Sequence, residues 1–459
     1  MSNPKKKSAI VDLTEGPLLK QLILFALPIM GGNLLQALYT MVDLWVVGKF
    51  ASSVAISAVT VSSQIVFLMH AVGIGLGSGG QVLIAQQIGA KDSRRLNTTI
   101  GTLLTTCALS SVVFAAIGAA GTKLWLNIMQ TPAEAMPSAI SYLLICCIGV
   151  PFVYGGGTLC AILRGAGDSK TPMYILGVSA GVNVVLDILF VAKFGMGAAG
   201  AAWATVIAQI ISLLYGLIVF IRNQEALGFN GKKESYKIDI PTFKAIWKLS
   251  APLVIMTAAI NISMMVITAF VNTYGVAASA VTGIGTKLGQ LINVVSGSMQ
   301  TAVGSMVAQN FAAGKIDRVR GVNRYSNLIC AGFFVIIAAL SLLFPEQIIG
   351  FFTQATETEV LALARPFMRT ECCLFFGFCF MAAPLGHING VGYTTLNLII
   401  SVLDGVIGRI GLAVLLGMVC SLGVVGFWWG HALASLISVI LGWIYYLSGR
   451  WEKRELILH

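Results

Sequence analysis

The sequence predicts an all-α integral membrane protein whose twelve transmembrane helices form two six-helix lobes, related by a pseudo-twofold axis along the membrane normal. Three observations predict this fold: the composition, a series of long apolar runs, and an internal repeat. Of the 459 residues, 57% are hydrophobic and only 10% are charged, against roughly 25% charged residues in a soluble domain. Because so few charges cannot cover a water-soluble surface, the composition excludes a soluble enzyme, a nucleic-acid-binding protein and a disordered scaffold.

Long apolar runs are the second observation, since a membrane-spanning helix needs about 20 apolar residues. The first run follows Lys5, Lys6 and Lys7 and exceeds the core of a signal peptide, so we expect it to remain as a helix. Proline residues at positions 28, 151, 252 and 384 predict kinks. Charges, Gly and Pro divide the chain into twelve predicted spans, at about 18–48, 54–88, 97–121, 137–163, 171–192, 198–221, 245–273, 279–309, 324–352, 366–387, 394–418 and 424–448.

The distribution of Lys and Arg predicts the orientation of these spans. Most of the 29 basic residues fall in segments on one side of the predicted membrane, and this side includes both termini. Cytoplasmic segments carry such an excess of positive charge. We therefore expect both termini to be cytoplasmic, and we attribute the net charge of +11 to this face rather than to a nucleic-acid partner.

An internal repeat is the third observation, because its two copies divide the twelve spans into two sets of six. Residues 55–60 (AISAVT) resemble residues 277–282 (AASAVT), and Pro28 corresponds to Pro252. Such repeats are typical of transporters, and an even number of helices gives both copies the same orientation. The predicted organisation is an N-terminal tail (1–17), an N-lobe (18–222), a cytoplasmic linker (223–244), a C-lobe (245–448) and a C-terminal tail (449–459).

Acidic residues inside the spans are candidates for function, because charge within a bilayer is costly. Asp43 and Asp187 each lie about 9 Å from the outer end of their span, counted at 1.5 Å per helical residue. Thr205 and Tyr142 lie at a similar depth, and Asn183 and Tyr39 lie one turn from the two aspartates. Carboxylate, amide and hydroxyl oxygens are ligands that Na⁺ prefers, and two close carboxylates also favour proton uptake. The alternative is that these groups only bond between helices.

The C-lobe spans contain a second set of charges. Asp404 and Arg409 lie five residues apart on span 11 and pair either with each other or with Lys287 on span 8. Two interpretations stay open for them, a structural pair and an element of a substrate cavity. Glu371 lies near the outer end of span 10, and His70 on span 2 is interpreted as a packed polar residue rather than a proton relay.

Four short segments resemble one family of transporters. They are Ala26-Leu27-Pro28, Val42-Asp43, Ala85-Gln86 and the segment 163–168 (LRGAGD). Each is weak alone, but their order, spacing and duplication resemble the multidrug and toxic compound extrusion (MATE) transporters over almost the whole chain. The resemblance is strongest to the branch of DinF-like and MepA-like prokaryotic exporters.

The resemblance implies roles for residues of the N-lobe. In that branch, an Asp on helix 1, an Asn and an Asp on helix 5 and a Thr on helix 6 bind the cation, with tyrosines on helices 1 and 4. Helix 1 bends near a proline, which corresponds to Pro28. The other large branch has a Glu on helix 7, whereas span 7 here carries no acid, so a C-lobe cation site of that type is not expected. The implied cation or proton site comprises Asp43, Asn183, Asp187, Thr205, Tyr39 and Tyr142, of which Asp43, Asn183, Asp187 and Thr205 are the Na⁺ ligands.

The function implied is secondary active efflux of lipophilic, cationic organic compounds in exchange for H⁺ or Na⁺ by alternating access. We expect a monomeric multi-pass protein of the prokaryotic plasma (inner) membrane, whose partners are small-molecule substrates and the lipid bilayer. It would have no enzymatic activity, no nucleic-acid partner and no cofactor besides the coupling ion. The alternative is a flippase of lipid-linked oligosaccharides or other amphiphiles from the same superfamily.

Other classes of membrane protein fit the sequence less well. An ATP-driven pump needs the motif GxxxxGK[ST], which does not occur. The segment 165–168 (GAGD) matches the GxGD pattern of intramembrane aspartyl proteases, but Asp168 lies in a basic predicted loop and its counterpart in the repeat is Tyr393. A channel is disfavoured because no filter-like repeat is present.

Overall fold

A computed structural model describes residues 12–352 and 358–457 of the chain. These residues form twelve helices long and apolar enough to cross a membrane, and none of them lies in a strand. The predicted all-α fold with twelve membrane-spanning helices is therefore confirmed. The helices are α1 (Leu18–Phe50), α2 (Ser53–Gly89), α3 (Ser93–Ala120), α4 (Met136–Gly165), α5 (Lys170–Lys193), α6 (Gly197–Asn223), α7 (Ile240–Asn272), α8 (Val276–Ala312), α9 (Ile316–Leu343), α10 (Thr358–Gly390), α11 (Thr394–Val419) and α12 (Gly423–Leu447).

The largest boundary difference from the predicted spans is in α9. This helix begins at Ile316 rather than near position 324, and it ends at Leu343, before a short helix Pro345–Gly350. The sequence criterion ended each span at charged residues, yet Arg318 lies in the first turn of α9. Its guanidinium donates to Gln21 Oε1 at 2.9 Å and to the Gly16 carbonyl at 2.9 Å. These bonds satisfy N–H groups of the guanidinium, and the helix extends beyond its apolar part.

The described residues divide into two compact units. The first comprises 27–254, and the second comprises 14–26 together with 255–457. The divisions fall within α1 and α7, close to Pro28 and Pro252. Positions 1–11 of the predicted N-terminal tail and positions 458–459 of the C-terminal tail lie outside the described residues.

The two units share one packing pattern. In the first, α4 packs against α2, α3 and α6, and in the second, α10 packs against α8, α9 and α12. A Cβ atom at Gly165 would lie 2.8 Å from the Gln81 carbonyl oxygen, and one at Gly390 would lie 2.7 Å from the Gly304 carbonyl oxygen. The repeated glycines therefore permit the same close approach of helices in each unit.

Short π-helical segments interrupt two helices that carry aspartates. Ile188–Lys193 forms the last part of α5, directly after Asp187. Leu403–Gly408 and Leu415–Val419 lie within α11, and the first of them contains Asp404. Insertions of this kind are frequent at functional sites, and they change the direction in which the neighbouring side chains point.

The segment between α6 and α7 packs on α3 of the same unit. It includes a short 3-10 helix, Lys233–Tyr236. Ser235 Oγ accepts from Asn97 Nδ2 at 2.8 Å, and Thr105 Oγ1 donates to the Tyr236 carbonyl at 2.8 Å. Gly101 makes this contact possible, because a Cβ there would lie only 1.7 Å from the Ser235 carbonyl oxygen.

Candidate functional site

Four buried oxygen atoms without hydrogen-bond partners mark a polar site in the first unit. Asp187 is completely buried at the last α-helical turn of α5, and Asn183 lies one turn before it. Both carboxylate oxygens of Asp187, Asn183 Oδ1 and Asp43 Oδ1 lack a partner within the part of the chain that the structure describes. Buried polar atoms are almost always hydrogen-bonded, so these oxygens indicate a site that takes up a cation or a proton.

Neighbouring helices orient the site. Asn183 Nδ2 donates to Thr205 Oγ1 on α6 at 3.3 Å, which leaves the amide oxygen of Asn183 available. The charge of Asp43 acts on Asp187 and on the phenol groups of Tyr39 and Tyr142. The structure thus places Asp43, Asp187 and the two tyrosines in one electrostatic environment and joins Asn183 to Thr205.

The sequence reasoning missed Ser63 on α2. Its hydroxyl group lies 3.5 Å from Tyr142 Oη, at hydrogen-bonding distance. Tyr142 is itself buried, with 6% of its surface exposed. Ser63 is one of several serines in an apolar span, and no feature of the sequence distinguishes it from its neighbour Ser62.

The polar residues predicted for the second unit form a closed ion pair. Arg409 Nε lies 3.0 Å from Asp404 Oδ1, and Ser438 Oγ donates to Asp404 Oδ2 at 2.6 Å. Lys287 is exposed, and no ion pair joins it to Asp404 within the described residues. Of the two pairings that the sequence left open, the structure contains the one between Asp404 and Arg409. Both carboxylate oxygens of Asp404 are satisfied, in contrast to those of Asp187.

Two further polar groups of the second unit each have an atom without a partner in the described part of the chain. Glu371, expected near an outer end, is buried with 7% of its surface exposed, and its Oε2 has no partner in the described part of the chain. Its spacing of four residues from Phe367 and from Phe375, both buried, could have indicated a buried helix face. The charge of Arg409 acts on the imidazole of His431 on α12, and His431 Nδ1 has no partner among the described residues.

A cavity of about 340 Å³ lies within the first unit. Its polar side chains come from four helices, and they include Asn33, Gln36, His70, Arg164 and Gln209. His70, interpreted from the sequence as a packed polar residue rather than a proton relay, lies on this wall. Arg164, one residue beyond the end of the predicted span 137–163, also lies on the cavity wall.

Comparison with known proteins shows which family has this arrangement. The MatE family profile matches the chain twice, over residues 28–189 and 252–415. The chain belongs to the MatE family. The two matches begin at Pro28 and Pro252 and cover most of both predicted copies, so the internal repeat in this MatE protein is confirmed.

Individual relatives support the same assignment. The chain is 30% identical over 445 residues to the probable multidrug resistance protein YoeA of Bacillus subtilis, which covers 95% of each chain. It is 25% identical over 456 residues to the multidrug export protein MepA of Staphylococcus haemolyticus, covering 98% of this chain and 99% of MepA. A solved structure, described as the outward-facing conformation of a multidrug resistance MATE family transporter, is 20% identical with a TM-score of 0.89, and the alignment covers 99% of this chain and 100% of that one.

Membership of the MatE family establishes the class of function. The protein is a membrane transporter of the multidrug efflux family, and it is not an enzyme. The expectation of the family from four short motifs is therefore confirmed.

Proposed function

We propose that this transporter exchanges lipophilic organic compounds for H⁺ or Na⁺ by alternating access, with the coupling ion bound at Asp43 and Asp187. The observation that carries the proposal is a group of four buried oxygens that have no partner in residues 12–352 and 358–457, two from Asp187 and one each from Asp43 and Asn183. The protein would act in the prokaryotic plasma (inner) membrane, with both termini cytoplasmic.

The chemistry of these oxygens supports a small hard cation. Carboxylate and amide oxygens are ligands of alkali and alkaline-earth ions. The hydrogen bond from Asn183 to Thr205 uses the amide nitrogen, so the amide oxygen stays free to serve as a ligand. Either a bound cation or a proton on one of the two carboxylates would lower the repulsion between them. The site therefore suits Na⁺ or H⁺.

Coupling requires that the ion bind one conformation of the protein more tightly than the other. Asp43 lies on α1, the helix that also contains Pro28, and Asp187 lies on α5. Proline removes one backbone hydrogen bond and permits a helix to bend. An ion bound between Asp43 and Asp187 would join α1 to α5 and favour one curvature of α1. Substrate binding would favour the other.

Efflux of a fluorescent substrate from proteoliposomes tests this proposal. A Na⁺ gradient and a pH gradient are imposed across the membrane in separate experiments. Asp43→Asn and Asp187→Asn should each abolish efflux while the protein still inserts and purifies. Asp317→Asn is the matched control, because the side chain of Asp317 is 97% exposed. Efflux at the wild-type rate in both Asp43→Asn and Asp187→Asn would exclude the proposed coupling site.

A further inference from the structure

The wall of the 340 Å³ cavity in the first unit carries positive charge and no negative charge. Its volume lies in the range of sites for drug-sized molecules. Arg164 supplies this charge, and none of the residues that line the wall is Asp or Glu. Asp43 and Asp187, the two acids of the proposed coupling site, are not part of it.

Arg164 faces this cavity without a carboxylate partner in the described residues. Its Nε donates to Gln81 Oε1 at 3.1 Å, and an amide oxygen does not neutralise the charge. The nearest acid along the chain, Asp168, instead accepts from the backbone of Lys170 and from the backbone and hydroxyl group of Thr171.

Arg409 in the second unit shows the contrasting arrangement. Arg409 is buried, whereas Arg164 is only half-buried, and a carboxylate oxygen of Asp404 lies 3.0 Å from Arg409 Nε. A guanidinium group in an apolar interior is costly unless an anion compensates it. The protein supplies that anion to Arg409, whereas the cavity leaves room for one beside Arg164.

We propose that the cavity binds an amphiphile through an anionic group, a carboxylate or a phosphate, that pairs with Arg164. The planar guanidinium matches such groups through two parallel hydrogen bonds. Apolar side chains of the wall, Ile74, Val153 and Leu176, would contact the lipophilic part. This inference rests on the proposed efflux function and names its substrate class as anionic or zwitterionic amphiphiles.

Two dyes that differ only in one negative charge test the inference. Tetramethylrhodamine carries a free carboxylate beside its cationic ring system, and its methyl ester lacks that carboxylate. Fluorescence anisotropy with the full-length protein in phosphatidylcholine nanodiscs, without any ion gradient, measures both affinities. The wild-type protein should bind the acid about tenfold more tightly, the value of one charge-assisted hydrogen bond.

Two variants remove the preference by different routes. Arg164→Gln removes the cation. Gln81→Glu keeps it but places a carboxylate where the accepting oxygen now lies 3.1 Å from Nε, so the protein itself supplies the anion. Both variants should bind the two dyes equally, and Gln81→Glu remains informative if Arg164→Gln does not fold. Lys170→Gln, which removes an exposed cation six residues further on, should retain the tenfold preference.

The source of the anion is distinguished by repeating the titration in phosphatidylglycerol nanodiscs. An unchanged preference for the acid identifies a soluble amphiphile, and a preference lost only in phosphatidylglycerol identifies an anionic lipid headgroup. Equal wild-type affinity for acid and ester in phosphatidylcholine would overturn the inference, as would a preference that survives both variants. Because no gradient is used, a preference for the acid in a protein that fails to perform gradient-driven efflux would refute only the proposed function.

Discussion

The two buried aspartates Asp187 and Asp404 should respond in opposite ways to the same substitution by Asn. Asp187 is completely buried and has no hydrogen-bond partner among the described residues. Asp404 is 4% exposed, and both of its oxygens are bonded, to Arg409 and to Ser438. Asn has nearly the same shape as Asp, so the comparison isolates the charge and its partners.

The partners of the two aspartates indicate how much the two substitutions should differ in their effect on the free energy of unfolding. Asp404→Asn removes the negative charge from a pair at 3.0 Å, and breaking a buried ion pair costs about 3–5 kcal/mol of unfolding free energy. Asp187→Asn removes a buried carboxylate that makes no hydrogen bond with the described residues, so no such cost applies and the change should be neutral or stabilising. The free energies of unfolding of the two variants should therefore differ by at least about 3 kcal/mol.

Thermal unfolding in detergent measures this difference. A maleimide dye would report unfolding as it reacts with buried cysteines such as Cys146 and Cys330. Asp404→Asn should melt well below the wild-type protein, and Asp187→Asn at or above it, although Asp187→Asn should lack efflux. A loss of stability at Asp187→Asn equal to that at Asp404→Asn would refute the reasoning, because it would show that Asp187 stabilises the fold.

Three other outcomes are expected. Thr205→Val should reduce Na⁺-driven efflux more than pH-driven efflux, because it removes the hydroxyl that holds Asn183; equal losses under separate gradients would contradict this. Gly101→Val should detach the segment around Ser235 from α3, since even a Cβ at position 101 would lie 1.7 Å from the Ser235 carbonyl oxygen. Limited proteolysis of this segment at the wild-type rate would disprove the prediction. A cysteine replacing Glu234 should resist impermeant reagents applied to whole cells, and labelling from outside would contradict the predicted topology.

Much of the fold follows from the sequence because the bilayer imposes a simple rule. A backbone in lipid must satisfy its own hydrogen bonds, so each long apolar run becomes a helix. The repeat could be found because the same close helix contacts, such as those at Gly165 and Gly390, require the same small residues in both copies. Helix ends were less predictable, since Arg318 at the start of α9 is satisfied by Gln21, almost 300 residues away in the chain.

The candidate site was predictable only in part. Spacing along a helix places Asn183 and Asp187 on one face, and depth places Asp43 at the same level. Whether an acid is paired depends on side chains of other helices. The sequence alone did not distinguish Asp404, which is paired, from Asp187, which has no partner among the residues described. The same reason explains why the sequence did not single out Arg164, because only the packed helices show that it faces a cavity.

Comparison of equivalent positions explains why the second unit would lack a copy of the site around Asp187. Thr205 lies eight residues after Gly197, the first residue of α6, and His431 lies eight residues after Gly423, the first residue of α12. Counted back from the ends of α5 and α11, Lys193 and Val419, Asn183 corresponds to Arg409 and Asp187 to Ala413. Where the first unit offers a hydroxyl, an amide and a carboxylate, the second therefore offers an imidazole, a guanidinium and a methyl group. The guanidinium repels a cation from that position, and Asp404, the acid beside it, is already neutralised by Arg409. A second copy of the proposed Asp187 site is thus not expected in the C-terminal half of this MatE protein.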